Sequence, residues 1–246
     1  ILDDATHSVI SGGASNIINA SATHSVISGG AYNAIAAIYS VISGGNFNQI
    51  WANHSVISGG FTNKIMVDAT HSVILGGYNN SANAPYSVVS GNEAKSFGYG
   101  EQVHAVGKFH TAGDAQFSRL IFKGTSTNAE IAYLKLGDGT SDYVLGDNHP
   151  GKVQSVAGRA IFHGQNAAGA ECVMLTYDFI ALDFGGWIIT ENLVSHLTPG
   201  IITTASLTKL TVDIITGALK PKIELDGFVG VVNWLVTVEM TTIVNP

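Results

Sequence analysis

The sequence predicts an all-β protein in two parts. Residues 1–95 form a repeat-built parallel β-roll or solenoid, and residues 113–246 form a β-sandwich of jelly-roll character. Three observations predict this. One seven-residue phrase is written six times and then abandoned. The remainder alternates apolar and polar residues between turn signals, as strands do. No segment combines a helical apolar period with start and stop signals.

The phrase is HSVISGG at 7–13, and it returns at 24–30 and 54–60. Variants follow as YSVISGG at 39–45, HSVILGG at 71–77 and YSVVSGN at 86–92. Successive copies start 17, 15, 15, 17 and 15 residues apart. Asn16, Asn33, Asn48, Asn63 and Asn80 each stand three positions after the second glycine, and the same count from Gly91 and Asn92 gives Lys95. A unit of about 15 residues is shorter than the roughly 33 of a helical repeat, so it suits one coil of a β-solenoid. The SVIS segment is rich in β-branched residues and forms the strand. The double glycine makes a corner.

Neighbouring residues on a strand face opposite ways. Val9 and Ile10 therefore point to opposite sides, as do Val26 and Ile27, Val41 and Ile42, Val56 and Ile57, Val73 and Ile74, and Val88 and Val89. One member of each pair fills its own coil. The other forms an apolar stripe outside, and a long exposed apolar stripe marks an interface. Self-association through that stripe is the expectation, with these residues as trimer or coil core.

The SVISGGxxNxI unit resembles the head repeat of trimeric adhesins, which also occurs in phage tail fibres. The resemblance implies a left-handed β-roll in which three chains pack around one axis. Leu75 in place of Ser, and the altered last copy SGNEAKSFGYGEQV, depart from the pattern. Such a change is expected of a terminal rung.

Hydrophobic residues make up 46% and charged residues 12% of the chain, which excludes disorder. A net charge of −7 argues against nucleic acid as a partner. Cys172 stands alone, so no intrachain disulfide forms. No apolar run approaches the roughly 18 residues of a membrane span, so membrane insertion is not expected. The opening ILDD lacks a methionine and a signal peptide, and the expectation is a piece of a longer protein whose remainder lies on the N-terminal side.

Residues 96–112 read as a junction. From 113 onward, strands are expected at 117–123, 129–136, 152–163, 170–182, 186–190, 207–215, 219–225 and 229–243, separated by GDGTSD, GDNHPG, GQNAAG, TPG and DG. The opening GDAQFSR, the central Asp-Gly turn and the closing alternation after Trp234 resemble the C-terminal module of phage tail-fibre proteins. That resemblance implies a globular tip on a trimeric shaft.

His7, His24, His54 and His71 share one repeat position with Tyr39 and Tyr86. Exchange of His for Tyr points to stacked rings, so no metal is expected there. His104 and His110 read as turn residues. Among acids, Asp142, Asp147, Asp178, Asp183 and Glu191 are candidates for glycan cleavage, but nothing in the sequence brings two of them together. No catalytic residue, cofactor or enzymatic activity is therefore expected. Binding is the better class. Asp142, Tyr143, His149 and Trp187 are the loop candidates for receptor contact, since planar rings beside acids suit sugars. The expected protein is the distal part of a homotrimeric phage tail fibre, carried on the virion. Its partner is a host surface glycan or an outer-membrane protein. The alternatives are the head of a bacterial surface adhesin and a polysaccharide-degrading tail spike.

Overall fold

The computed structural model describes residues 1–127, 132–144, 154–166, 172–183, 187–197, 207–212, 218–224 and 231–244. It divides into two units, Ile1–Phe117 and Ser118–Pro246.

The first unit is a parallel β-solenoid of about seven coils. Strands Val9–Ile10, Val26–Ile27, Val41–Ile42, Val56–Ile57, Val73–Tyr78, Val88–Asn92 and Gln102–Val106 stack along one side. Strands Ile17–Ile18, Ala34–Ile35, Gln49–Ile50, Lys64–Ile65, Ser81–Ala82 and Lys95–Ser96 stack along another. Equivalent residues pair from coil to coil, as in Val26 with Val41 and Ile27 with Ile42. Val88 pairs with Gln102 and Val89 with Val103, so a seventh coil lies inside the segment that the sequence presents as a junction. The repeat phrase has vanished there, but the rung has not.

The central coils say the same thing twice. A left-handed residue comes first, then a buried polar residue, then one facing out, then one facing in. His24, Ser25, Val26 and Ile27 make one half; Tyr32, Asn33, Ala34 and Ile35 make the other. Ile27, Ile35, Ile42, Ile50, Ile57, Ile65 and Ile74 are wholly buried and fill the interior. The buried polar residues join the rungs. Asn33 Nδ2 donates to Gly29 O in its own coil at 3.1 Å and to Gly45 O of the next at 2.9 Å. Its Oδ1 accepts from the Asn48 amide at 3.0 Å. Ser25 Oγ donates to Ala37 O at 2.8 Å and accepts from the Ser40 amide at 3.1 Å. These bonds satisfy backbone groups that a two-residue strand leaves over, which buried chains require.

The second glycine of each corner is fixed by close approach. Gly30 has φ 82°, and a Cβ there would lie 2.1 Å from Gly45 O. In the sixth copy the corner is one residue shorter, and pairing shifts between Val89 and Gly91. This corrects the expected place of Lys95. Lys95 pairs with Ser81, and Ala94 takes the asparagine position, its amide donating to Asn80 Oδ1 at 2.9 Å.

The long strand Ala115–Thr127 begins in the first unit and continues into the second, where it, Val231–Val244, Gln154–Asn166, Cys172–Asp183 and Trp187–Leu197 are neighbours in that order. Gln154–Asn166 pairs antiparallel with both Val231–Val244 and Cys172–Asp183. Ala218–Glu224 pairs with Ala132–Tyr133, Tyr143–Val144 and Leu207–Val212 in a smaller sheet. Burial alternates along the strands, as one-sided packing dictates. Leu120, Phe122, Phe162, Phe179, Val236 and Val238 lie on the buried side. Trp234 Nε1 donates to Ser126 Oγ at 2.8 Å, so this buried indole keeps a partner.

Candidate functional site

Three surfaces carry chemistry: two on the solenoid and one on the C-terminal sheet. On the first solenoid face the outward residue is valine in six successive coils, Val9, Val26, Val41, Val56, Val73 and Val88. Val9 is 49% exposed, whereas Ile27, beside Val26, is fully buried. On the second face the outward residues are Ile17, Ala34, Gln49, Lys64, Ser81 and Lys95, with no common chemistry. The first face is thus uniformly apolar and the second is varied.

The His/Tyr position forms a continuous ladder. His7, His24, Tyr39, His54, His71 and Tyr86 stack with centroids 4.7, 4.8, 5.3, 4.8 and 4.9 Å apart. All six have φ between 54° and 60°, a conformation unusual outside glycine. A second row runs through Tyr32, Phe47, Phe61 and Tyr78, in which Tyr32 stacks on Phe47 and Phe61 on Tyr78 while Phe47 meets Phe61 edge-on. In the first ladder the ring faces are occupied by neighbouring rings, so it offers mainly edges to a ligand. Among the described residues no group of three or more His, Cys, Asp or Glu side chains converges as a metal site.

Past the repeats, carboxylates take over as backbone acceptors. Glu101, fully buried, accepts from the Phe97 and Gly98 amides at 2.7 and 2.9 Å. Asp114 accepts from Phe109, His110 and Thr111 at 2.8, 2.6 and 2.7 Å. Gln116 accepts from the Lys95 amide at 3.0 Å and donates to its carbonyl at 2.9 Å. Its side-chain amide therefore stands where the next strand would pair, and it caps the edge of the second solenoid sheet. The sequence singles out this GDAQ motif; its role as the solenoid's end cap emerges only from the geometry. His110 belongs to this turn. His104 lies in the last coil, its Nδ1 3.0 Å from Ser90 Oγ.

Of the four receptor candidates, Asp142 and Tyr143 have described side chains. Tyr143 is buried at 2% exposure. Asp142 accepts from Lys135 Nζ at 2.8 Å. Trp187 opens the strand Trp187–Leu197, paired with Asp183. His149 lies outside the described residues. Beside them, Asp138 anchors the Gly139–Ser141 turn, accepting from the Thr140 and Ser141 amides at 2.9 Å and from the Ser141 hydroxyl. Burial works to raise this carboxyl, but the bonds from Ser141 and Thr140 outweigh it and bring it to about 2.

The outer face of the C-terminal sheet holds a row that sequence reasoning missed. Arg159 pairs across strands with Glu239 on one side and Asp178 on the other. Arg159 Nε and Asp178 Oδ1 are 2.7 Å apart, and Arg119 Nε lies 3.8 Å from Glu239 Oε1. The hydrogen bond from Arg159 holds Asp178 below the usual carboxylate range. Asp178 was a candidate acid; Glu239 was not, because only strand pairing brings residues this distant in sequence onto one row.

No family model and no curated protein matches the chain. Among solved structures it is similar to three phage tailspikes. The tailspike of Acinetobacter baumannii phage AM24 matches at 12% identity and TM-score 0.31, over 90% of this chain and 54% of that one. The tailspike of Acinetobacter phage vB_ApiP_P1 matches at 8% and 0.26, over 95% and 54%. The tailspike protein gp49 of Acinetobacter baumannii bacteriophage Fri1, described as a capsular polysaccharide depolymerase, matches at 10% and 0.27, over 90% and 48%. The chain spans about half the length of the structures it matches. One of the three is thus described as an enzyme, contrary to the expectation of no enzymatic activity. That expectation rested on the lack of acids paired in sequence, and sequence spacing does not report which acids strand pairing brings together.

Proposed function

We propose that this chain is a phage tailspike subunit that engages and depolymerises host surface polysaccharide, with its solenoid gathering three chains and its C-terminal unit contacting the glycan. The observation that carries the reading is the union of two features in one chain. A rung-stacked solenoid presents the same valine outward in six coils, and the motif Gly113–Arg119, on which the tail-fibre resemblance rests, opens a separate all-β unit. In this reading the C-terminal unit is a β-sandwich at the distal end of the tail structure. Asp142 and Trp187 are its proposed glycan contacts, and buried Tyr143 acts by holding the Asp142 turn in place.

The test uses capsular polysaccharide from a susceptible host. The chain is expected to co-sediment with it, to compete with phage adsorption and to release reducing ends. Trp187→Ala is expected to weaken retention about tenfold or more, the loss typical of a central aromatic contact. Binding to a proteinaceous receptor on capsule-free cells, with none to polysaccharide, would replace this reading with the protein-receptor alternative.

A further inference from the structure

We propose that the aromatic row Tyr32–Phe47–Phe61–Tyr78 is a glycan-binding strip along one corner of the solenoid, where it holds a run of uncharged pyranose units of host surface polysaccharide. This rests on the polysaccharide reading above and adds a second site to the one on the C-terminal unit.

The first observation is how the chain keeps the row. Ser15, Tyr32, Phe47, Thr62 and Asn79 share one left-handed position, with φ between 52° and 57°. Ala14, Ala31, Asn46, Phe61 and Tyr78 share the position before it and bridge from coil to coil. Tyr32 and Phe47 carry their rings at the left-handed position, although bulky residues are rare at positive φ. Where Thr62 and Asn79 take that position, the ring moves one residue back, to Phe61 and Tyr78. A ring is thus present in four successive coils while the position that bears it changes. Internal packing does not require this, because the four residues are 52%, 44%, 41% and 49% exposed.

The second observation is what happens where the position changes. Tyr32 lies on Phe47 at 4.8 Å and 7°, and Phe61 on Tyr78 at 5.7 Å and 2°. Between Phe47 and Phe61 the planes cross at 78° and the centroids stand 6.0 Å apart. The stack breaks there, and a ring face is left without another ring of the row against it. The His/Tyr ladder has no such break from His7 to Tyr86. At the same place Asn46 bridges Ala31 and Phe61, and its Oδ1 is buried with no hydrogen-bond partner. An acceptor in that state is costly to leave unpaired. Asn46 as a whole is half-buried, so rotation of its amide presents the oxygen to a ligand hydroxyl.

The chemistry of the strip selects the ligand. The C–H face of a pyranose is apolar and weakly positive, and it lies well on the negative face of an aromatic ring. Hydroxyls at the sugar's edge then meet neutral partners such as Asn46 and Thr62. Between Ala5 and Asn92 the formal charges are Lys64 and Asp68 alone, so nothing here attracts the phosphates of nucleic acid or lipid. An uncharged strip matches an uncharged stretch of sugar. The row is also distinct from the valine column, because Gly29 and Gly30 turn the chain between Val26 and Tyr32. Rings in line suit a polymer, and a second site on one chain raises retention through effective concentration.

The experiment uses the full chain and capsular polysaccharide from a susceptible host. The row is removed with residues the chain itself places at equivalent positions: Tyr32→Ser, Phe47→Thr, Phe61→Ala and Tyr78→Ala together. This variant is expected to bind polysaccharide about tenfold or more weakly, with unchanged circular dichroism and native mass. Tyr39→His with Tyr86→His, an exchange within the His/Tyr ladder, is expected to bind as the parent does. Parental binding by the row variant overturns the proposal and leaves the C-terminal site standing. Equal loss in both variants means that any exposed ring serves, and overturns the strip as a site. A changed native mass in the row variant makes the strip a contact between chains and also overturns it. If the parent chain binds no polysaccharide, the reading on which the proposal rests falls, and the proposal with it.

Discussion

The solenoid and the C-terminal unit solve the same problem, satisfying buried strands, at opposite length scales. In the solenoid most strands are two residues long, and polar side chains finish what the strands begin: Asn33 alone bonds to three backbone groups in or beside its coil. In the C-terminal unit the sheet strands run 11 to 14 residues, and the backbone ladder does the work itself. There the distinctive side chains go to the surface. The difference teaches where substitutions matter: small and polar residues inside the coils, and apolar residues between long strands.

The largest expected effect lies within a single dipeptide. At Gly30 the backbone is left-handed and a Cβ would meet Gly45 O at 2.1 Å, while a Cβ on Gly29 meets nothing within 4 Å. Gly30→Ala adds about 1–2 kcal/mol of conformational strain to a clash with backbone that cannot rotate away. It is expected to remove the cooperative thermal transition of the solenoid. Gly29→Ala is expected to stay within about 0.5 kcal/mol of the parent. Equal melting of the two variants would show that the corner is not set by this approach.

The next comparison sets a buried amide against an exposed ion pair. Asn48 donates to Gly44 O and Gly60 O and accepts from the Asn63 amide, each at 3.0 Å. Asn48→Ala leaves buried backbone groups unpaired, at about 1–3 kcal/mol for each. Arg159→Ala removes an exposed pair and is expected to change the stability of a single chain by about 1 kcal/mol or less. Denaturant melts of the two variants should therefore differ severalfold. A larger effect of Arg159→Ala in dilute protein would mean that the row stabilises the sheet itself.

What was legible in the sequence follows the same divide. The coil repeats its chemistry, so Val26 and Ile27 are readable as two columns on opposite sides, and the His/Tyr exchange is readable as a stack; which column faces in emerges only from the burial of Ile27. The seventh coil was invisible because Gln102 and Val103 keep the register without the phrase. The shift of the asparagine position to Ala94 was missed because a one-residue deletion in a corner leaves no mark until strands are paired. In the C-terminal unit the strands were foreseeable from alternation. Their partners were not: Trp234 and Ser126 are 108 residues apart, and Glu239 reaches Arg119 and Arg159 only through pairing. Burial of Tyr143 was likewise hidden, since a ring beside a turn reads the same whether it faces in or out.

The smallest effect concerns acid. Asp138 titrates at about 2 in the folded chain, against about 3.9 for an unperturbed aspartate. A depressed folded value means that the ionised carboxylate favours the folded turn above about pH 4, and that this contribution fades as pH falls through about 2. Asp138 is partly exposed, so solvent screening keeps the contribution modest. Coils from Ala5 to Val67 contain no Asp or Glu, so acid has no carboxylate to act on there. Carbon-detected NMR titration of Asp138 should show a midpoint near 2, and Ser141→Ala should move it upward, since the Ser141 hydroxyl is the strongest bond lowering it. A midpoint near 3.9 in the parent chain would mean that the Gly139–Ser141 turn is not held by this carboxylate, and the placement of Asp142 beside it would lose its support.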